Sequence, residues 1–177
     1  MDSENNKRIL LFTGDGKGKT TAALGISLRA AGYGIKSLMV QFIKSNTDTG
    51  EMMFSKGIQE LEIIQTGRGF VPDNNSTDFE DHKQSAQAGL GRAQKALVSG
   101  KYPLVILDEI CVAVNKQLLE EQGVLDVIKG ACRDTIIIMT GRNASFGLID
   151  IADTVTEMKC VKHGYRQNIQ AQQGVEF

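Results

Sequence analysis

Short apolar runs alternate with longer stretches of helical period along this chain, the pattern of a parallel-sheet α/β fold. Ile9-Leu10-Leu11-Phe12 is apolar at every position, as a strand buried on both faces and central in a sheet would be. Thr20 to Ala31 follows as a helix rich in Ala and Leu, with Gly32 as its stop signal. Leu38 to Ile43 and Leu61 to Gln65 read as the next two strands. Between Thr66 and Thr77 the residues Gly67, Gly69, Pro72, Asp73, Asn74, Asn75 and Ser76 predict a long loop, of the length that usually carries function. Ala86, Leu90, Ala93 and Leu97 recur at helical spacing and predict a helix over Asp78 to Ser99, closed by Gly100. Leu104 to Leu107 is another buried strand and ends in Asp108-Glu109. Two helical pieces divided near Gly123, a β-branched strand over Thr135 to Met139, a short helix over Ala144 to Ala152 and a last strand over Thr154 to Met158 complete the order before a polar tail.

Composition narrows the class. The 177 residues are enough for one domain with a real core, 41% hydrophobic and 23% charged. We divide them into a short polar N-terminal segment, 1–8, and a single domain, 9–177. A balance of 20 basic and 21 acidic residues gives no footprint for nucleic acid, so a polyanion must be held by a local site. The apolar runs are far shorter than the ~20 residues that span a bilayer, and no signal-peptide pattern opens the chain. Cys111, Cys132 and Cys160 are odd in number and widely spaced, which argues against disulfides and structural zinc. The expectation is a cytoplasmic protein with neither membrane nor nucleic-acid partner.

Chemistry gathers where the first strand meets the first helix, at Thr13-Gly14-Asp15-Gly16-Lys17-Gly18-Lys19-Thr20-Thr21. Small residues let successive backbone N–H groups turn inward around phosphate oxygens, and the helix N-terminus points at the anion. Lys19 supplies a point charge and Thr20 a hydroxyl for Mg²⁺. The pattern G-x-x-x-x-G-K-[ST] asks for glycine at position 13; here it is Thr13, and Gly14 and Gly16 are expected to give the flexibility instead. Asp108 and Glu109 end an apolar strand, at the carboxyl edge where ligands of such sheets sit. Alone, an acid pair there is an ordinary helix start. Beside Lys19-Thr20 it reads as the second half of a phosphate site, holding Mg²⁺ directly or through water. ATP with Mg²⁺ follows from these residues alone. No nucleophile elbow, Ser–His–Asp arrangement or histidine cluster accompanies them, and two histidines leave little acid–base chemistry. A substrate that brings its own nucleophile would suit such a site.

From about Ile9 to Phe177 the chain resembles the P-loop ATP:corrinoid adenosyltransferases. The likeness rests on the phosphate loop, Val40-Gln41-Phe42-Ile43-Lys44, Thr66-Gly67-Arg68-Gly69-Phe70 and Leu107-Asp108-Glu109. It continues through Thr140-Gly141-Arg142, Ala152 to Glu157, Val161-Lys162-His163-Gly164-Tyr165 and the terminal Ala171 to Phe177. The resemblance implies a P-loop NTPase-like, RecA-type fold and an alkyl transfer: cobalt(I) of a reduced corrinoid attacks the 5′ carbon of ATP and triphosphate leaves. It implies that Gly14, Asp15, Gly16, Lys17, Gly18, Lys19, Thr20 and Thr21 bind the nucleotide, with Gln41, Lys44 and Arg142 near nucleotide or corrinoid. Thr20, Asp108 and Glu109 would manage Mg²⁺, and Lys19, Thr20, Glu109 and Phe70 would carry the catalysis. In the family, aromatic residues of the Phe70 loop pack under the corrinoid; this chain has Pro72 where a tryptophan is common. A homodimer and a flavoprotein reductant are further implications, and either complete cobalamin or a precursor lacking the lower ligand fits. A corrinoid role for His163 is not expected, since no D-x-H-x-x-G surrounds it; His163 and His82 are read as structural, and Cys111 as inert packing. Two other readings of the phosphate loop stay open, a kinase or ATPase cutting at the γ-phosphate and a non-catalytic ATP-dependent regulator.

Overall fold

In the computed structural model, which describes residues 7–175, a six-stranded sheet carries helices on its two faces. The strands are β1 (Arg8–Thr13), β2 (Ser37–Gln41), β3 (Leu61–Gln65), β4 (Leu104–Asp108), β5 (Ile136–Thr140) and β6 (Thr154–Glu157). Their order is β3-β2-β4-β5-β1-β6 and every pairing is parallel, so all carboxyl ends lie on one edge. β1 is interior, between β5 and β6, while β4 and β5 hold the centre. Leu104, Val105, Ile106 and Leu107 of β4 are inaccessible to water, as are Ile137, Ile138 and Met139 of β5. Their all-apolar sequences are what burial on both faces requires.

The helices are α1 (Lys19–Ala31), α2 (Gly50–Ser55), α3 (Phe79–Ser99), α4 (Ile110–Asn115), α5 (Glu121–Lys129) and α6 (Phe146–Asp150), with a 3₁₀ turn at Gly164–Gln167. α1 covers one face: its buried Ala23 and Ala30 share a core with Phe12, Met39, Leu104, Ile106 and Ile138. The larger core on the other face joins Ala86, Ala93 and Leu97 of α3 to Leu38, Val40, Val105, Leu107 and Ile137, with Val124 and Ile128 of α5 beside them. α3 ends at Gly100 in the left-handed region (φ 67°), as its glycine predicted.

Some boundaries move. α1 ends at Gly32, but Gly32 is right-handed, and the left-handed turn falls at Gly34 (φ 70°). The break expected near Gly123 lies earlier, between Asn115 and Glu121, where Gln117 takes φ 58°. Gly123 sits inside α5, near its start. One glycine in a helix costs about 1 kcal/mol relative to alanine, which the packing of Val124, Val127 and Ile128 offsets. α2 carries no buried residue and so leaves no apolar stripe in the sequence. The tail contains the 3₁₀ turn, where His163 accepts a hydrogen bond at Nδ1 from the Tyr165 N–H (3.2 Å), the structural role expected of it.

Candidate active site

β1 delivers the glycine loop to the carboxyl edge of the sheet. Gly14 and Gly18 are left-handed there (φ 93° and 107°), a conformation glycine reaches without steric cost. Gly14 and Gly16 also lie under the chain leaving β6, where an added Cβ would come within 2.5 and 2.7 Å of the Met158 carbonyl oxygen. That approach is a bonded one: the Gly16 N–H donates to the Met158 carbonyl (2.6 Å), and the Met158 N–H donates to the Thr13 carbonyl (2.8 Å). Position 13 is the last residue of β1, and the left-handed positions are Gly14 and Gly18, which is how the loop tolerates Thr13. α1 then begins with neither a side-chain cap nor an acidic residue in its first turn, so its positive end meets the loop without competition.

Lys19 is buried and its Nζ donates to the carbonyls of Gly14 (2.6 Å) and Gly16 (2.7 Å). Burial draws its ammonium below the ordinary lysine value, Glu109 opposes this, and Arg142 adds to it.

Asp108 stands at the centre of a buried network. Its Oδ1 accepts from Thr20 Oγ1 (2.8 Å) and Thr140 Oγ1 (2.7 Å), and its Oδ2 from Gln41 Nε2 (3.1 Å). Gln65 Nε2 in turn donates to Gln41 Oε1 (2.9 Å), and Thr140 Oγ1 accepts the Glu109 N–H (2.8 Å). Parallel register sets Gln41, Gln65 and Asp108 at one level, so with Thr140 of β5 four strands and α1 are tied by polar groups at one edge. Gln41 thus meets Asp108 rather than the cavity beside the loop. Glu109 begins α4 at φ 61°, left-handed for a non-glycine residue. Burial pushes its carboxyl above the ordinary glutamate range, Asp108 adds to the rise, and Lys19 and Arg142 oppose it.

Thr20, Lys19, Glu109, Lys44 and Arg142 share one cavity of about 950 Å³ with the loop backbone from Gly16 to Thr21. Lys44 pairs there with Glu51 of α2 (2.7 Å), and that bond holds the Glu51 carboxyl low against the opposing pull of burial. Among the described residues, no group of three His, Cys, Asp or Glu side chains is placed to hold a metal ion by itself. Thr20 donates its proton to Asp108 and keeps its oxygen lone pairs, and with the Glu109 carboxylate this gives a hard, all-oxygen donor set. Mg²⁺ shared with substrate phosphates fits such a set; a self-sufficient protein cage does not.

Not every expected residue converges. Gly14 and Asp15 do not line the cavity, and Asp15 is exposed. Phe70 is 94% exposed and projects from the loop before α3, outside the cavity. Asp108 lies behind Thr20, fully covered, rather than on the cavity wall. The structure adds Thr140 and Gln65, which hold Asp108 and Gln41, and Glu51, Phe54, His163 and Val175, which line the cavity. Cys111 is buried with its thiol pushed up to about 12 by burial, inert as expected.

The model of the family "ATP:corrinoid adenosyltransferase BtuR/CobO/CobP" matches residues 5–177. The corrinoid adenosyltransferase of Pseudomonas aeruginosa is 38% identical over 170 residues, covering 96% of this chain and 83% of that protein. That of Escherichia coli K12 is 33% identical over 171 residues, covering 96% and 85%. Among solved structures, the flagellar accessory protein FlaH of Methanocaldococcus jannaschii superposes with a TM-score of 0.53 at 11% identity, covering 86% of this chain and 70% of that one, a likeness of fold alone. A glycine loop under β6, a lysine and threonine opening α1 and two carboxylates closing β4 therefore stand in a chain that belongs to the ATP:corrinoid adenosyltransferase family.

Proposed function

We propose that the chain transfers the 5′-deoxyadenosyl group of ATP to the cobalt(I) centre of a corrinoid and releases inorganic triphosphate. The observation that carries this reading is the phosphate cradle itself, Lys19 with the backbone of Lys17 to Thr21 facing Glu109 in one cavity. The electron pair of cobalt(I) forms the cobalt–carbon bond as the bond from C5′ to the α-phosphate oxygen breaks, and triphosphate keeps that second pair. No proton needs to move at the reacting carbon.

What remains for the protein is to hold the leaving anion and orient the carbon. The α1 N-terminus and the loop amides grip phosphate oxygens. Lys19 leaves the Gly14 and Gly16 carbonyls to meet the same charge, and Arg142 approaches from the end of β5. Asp108 fixes the rotamer of Thr20, and Thr140 fixes the backbone of Glu109, so both faces of the cradle are preset. Thr20 and Glu109 would hold Mg²⁺, which would supply positive charge to the leaving group. A homodimer, a cytoplasmic setting and a flavoprotein that reduces the corrinoid belong to the same proposal. Among the described residues no helix is long and apolar enough to cross a membrane.

The test is anaerobic incubation with MgATP and chemically reduced cobalt(I) corrinoid. Stoichiometric triphosphate together with the visible spectrum of an alkylcobalt product is expected. ADP and orthophosphate without that spectrum would overturn the reading.

A further inference from the structure

The mouth of the cavity is built partly from the segment after β6, since His163, Gly174 and Val175 line it together with the phosphate loop. The base of that segment is fastened to the loop, through the bond from the Gly16 N–H to the Met158 carbonyl and then the turn that His163 caps. Gly174 sits at φ 80°, a conformation that favours glycine, with no atom within 4 Å of where a Cβ would stand. Val175 is 62% exposed, and Val161, Tyr165 and Ile169 of the same segment are exposed as well. Across the cavity, Leu28 of α1 and Phe54 of α2 present apolar surface to the same space, 60% and 54% exposed. Exposed apolar side chains of this segment and of α1 and α2 thus line one space, and burial would favour their contact.

We propose that the segment around Gly174 and Val175 is a strap that closes over the nucleotide cavity, Val175 packing toward Leu28 and Phe54 when a triphosphate occupies the loop. The inference rests on the nucleotide reading of the site given above. The coupling runs through Gly16. A phosphate that draws Lys19 away from the Gly16 carbonyl acts on the residue whose N–H holds Met158, the root of the strap. Closure removes water from the cavity, which strengthens every charge interaction on the leaving group and protects a strongly reducing substrate from protons.

The chain contains no tryptophan, so Val175→Trp introduces a single indole at the tip of the strap. Its emission, read during a titration with MgATP, is expected to move to shorter wavelength in step with the heat of binding from the same sample. In parallel, Val175→Asp is expected to weaken MgATP binding about tenfold, equivalent to ~1.4 kcal/mol, with an unchanged thermal melting temperature without nucleotide. Binding heat with an unmoved emission maximum overturns the strap and leaves the function standing, and so does undiminished affinity in Val175→Asp. No heat with the unsubstituted protein overturns the nucleotide reading, and the strap with it.

Discussion

Lys19 and Glu109 face one another as opposite charges, yet burial works against both ionised forms. For Glu109 the linkage has a definite sign. Its folded-state carboxyl binds a proton more readily than the unfolded one, so the folded state loses stability as pH rises from the ordinary glutamate value through the raised one. Glu109→Gln is therefore expected to melt higher than the parent at neutral pH, with the gain fading as pH falls through the raised value and gone below the ordinary glutamate value. Its adenosyl transfer should drop at the same time; scanning calorimetry across pH, paired with triphosphate release, checks both. Lys19→Ala is expected to slow transfer by roughly 10²–10³-fold, the range seen when a single donor to a developing anion is removed. Its circular dichroism should match the parent. Of these residues, Lys19, Thr20 and Glu109 were legible from the sequence, because loop, strand and acid pair coincide. Phe70 was named through the family resemblance and not from any pattern of its own, since a 94%-exposed loop side chain takes its meaning from what binds, and binding partners leave no periodicity in a sequence.

At the scale of elements, β6 and the glycine loop are one unit. Gly16→Ala would set a methyl against the Met158 backbone, so one of the two must move. The expected cost is about 1–3 kcal/mol in urea unfolding, as for other overpacked sites, along with weakened ATP binding. Thr140→Val removes a donor to Asp108 and the acceptor of the Glu109 N–H together, in a buried place. Leaving such groups unsatisfied is expected to lower stability by about 1–3 kcal/mol, measured by denaturant midpoint. Strands such as Leu104 to Leu107 were readable because burial on both faces demands an unbroken apolar run. α2 was not, having no buried residue to mark its period, and the break between α4 and α5 was misplaced because the left-handed position is Gln117, which carries no glycine signal. Thr140 was visible as part of Thr140-Gly141-Arg142, but its role depends on β5 lying between β1 and β4, an order that a sequence does not spell out.

For the molecule as a whole, the site is stitched across β2, β3, β4, β5 and α1, so ligand binding should be felt by the entire sheet. MgATP at a hundred times its dissociation constant is expected to add about 2.7 kcal/mol, visible as a rise in melting temperature, and Lys19→Ala should show much less of it. The alternation of strands and helices announced a parallel α/β sheet, while the strand order is set by crossover connections whose reach is not written locally.

One contact bears on selectivity. Because the Lys19 ammonium is already seated on two carbonyls of its own loop, an incoming anion competes with an intramolecular rival at 2.6–2.7 Å. A lone orthophosphate or sulfate, which can meet few amides at once, is expected to bind far more weakly than triphosphate, a difference that calorimetry with the three anions would read. A loop of this kind would then screen its ligands by the number of oxygens they present, before any base or sugar is recognised.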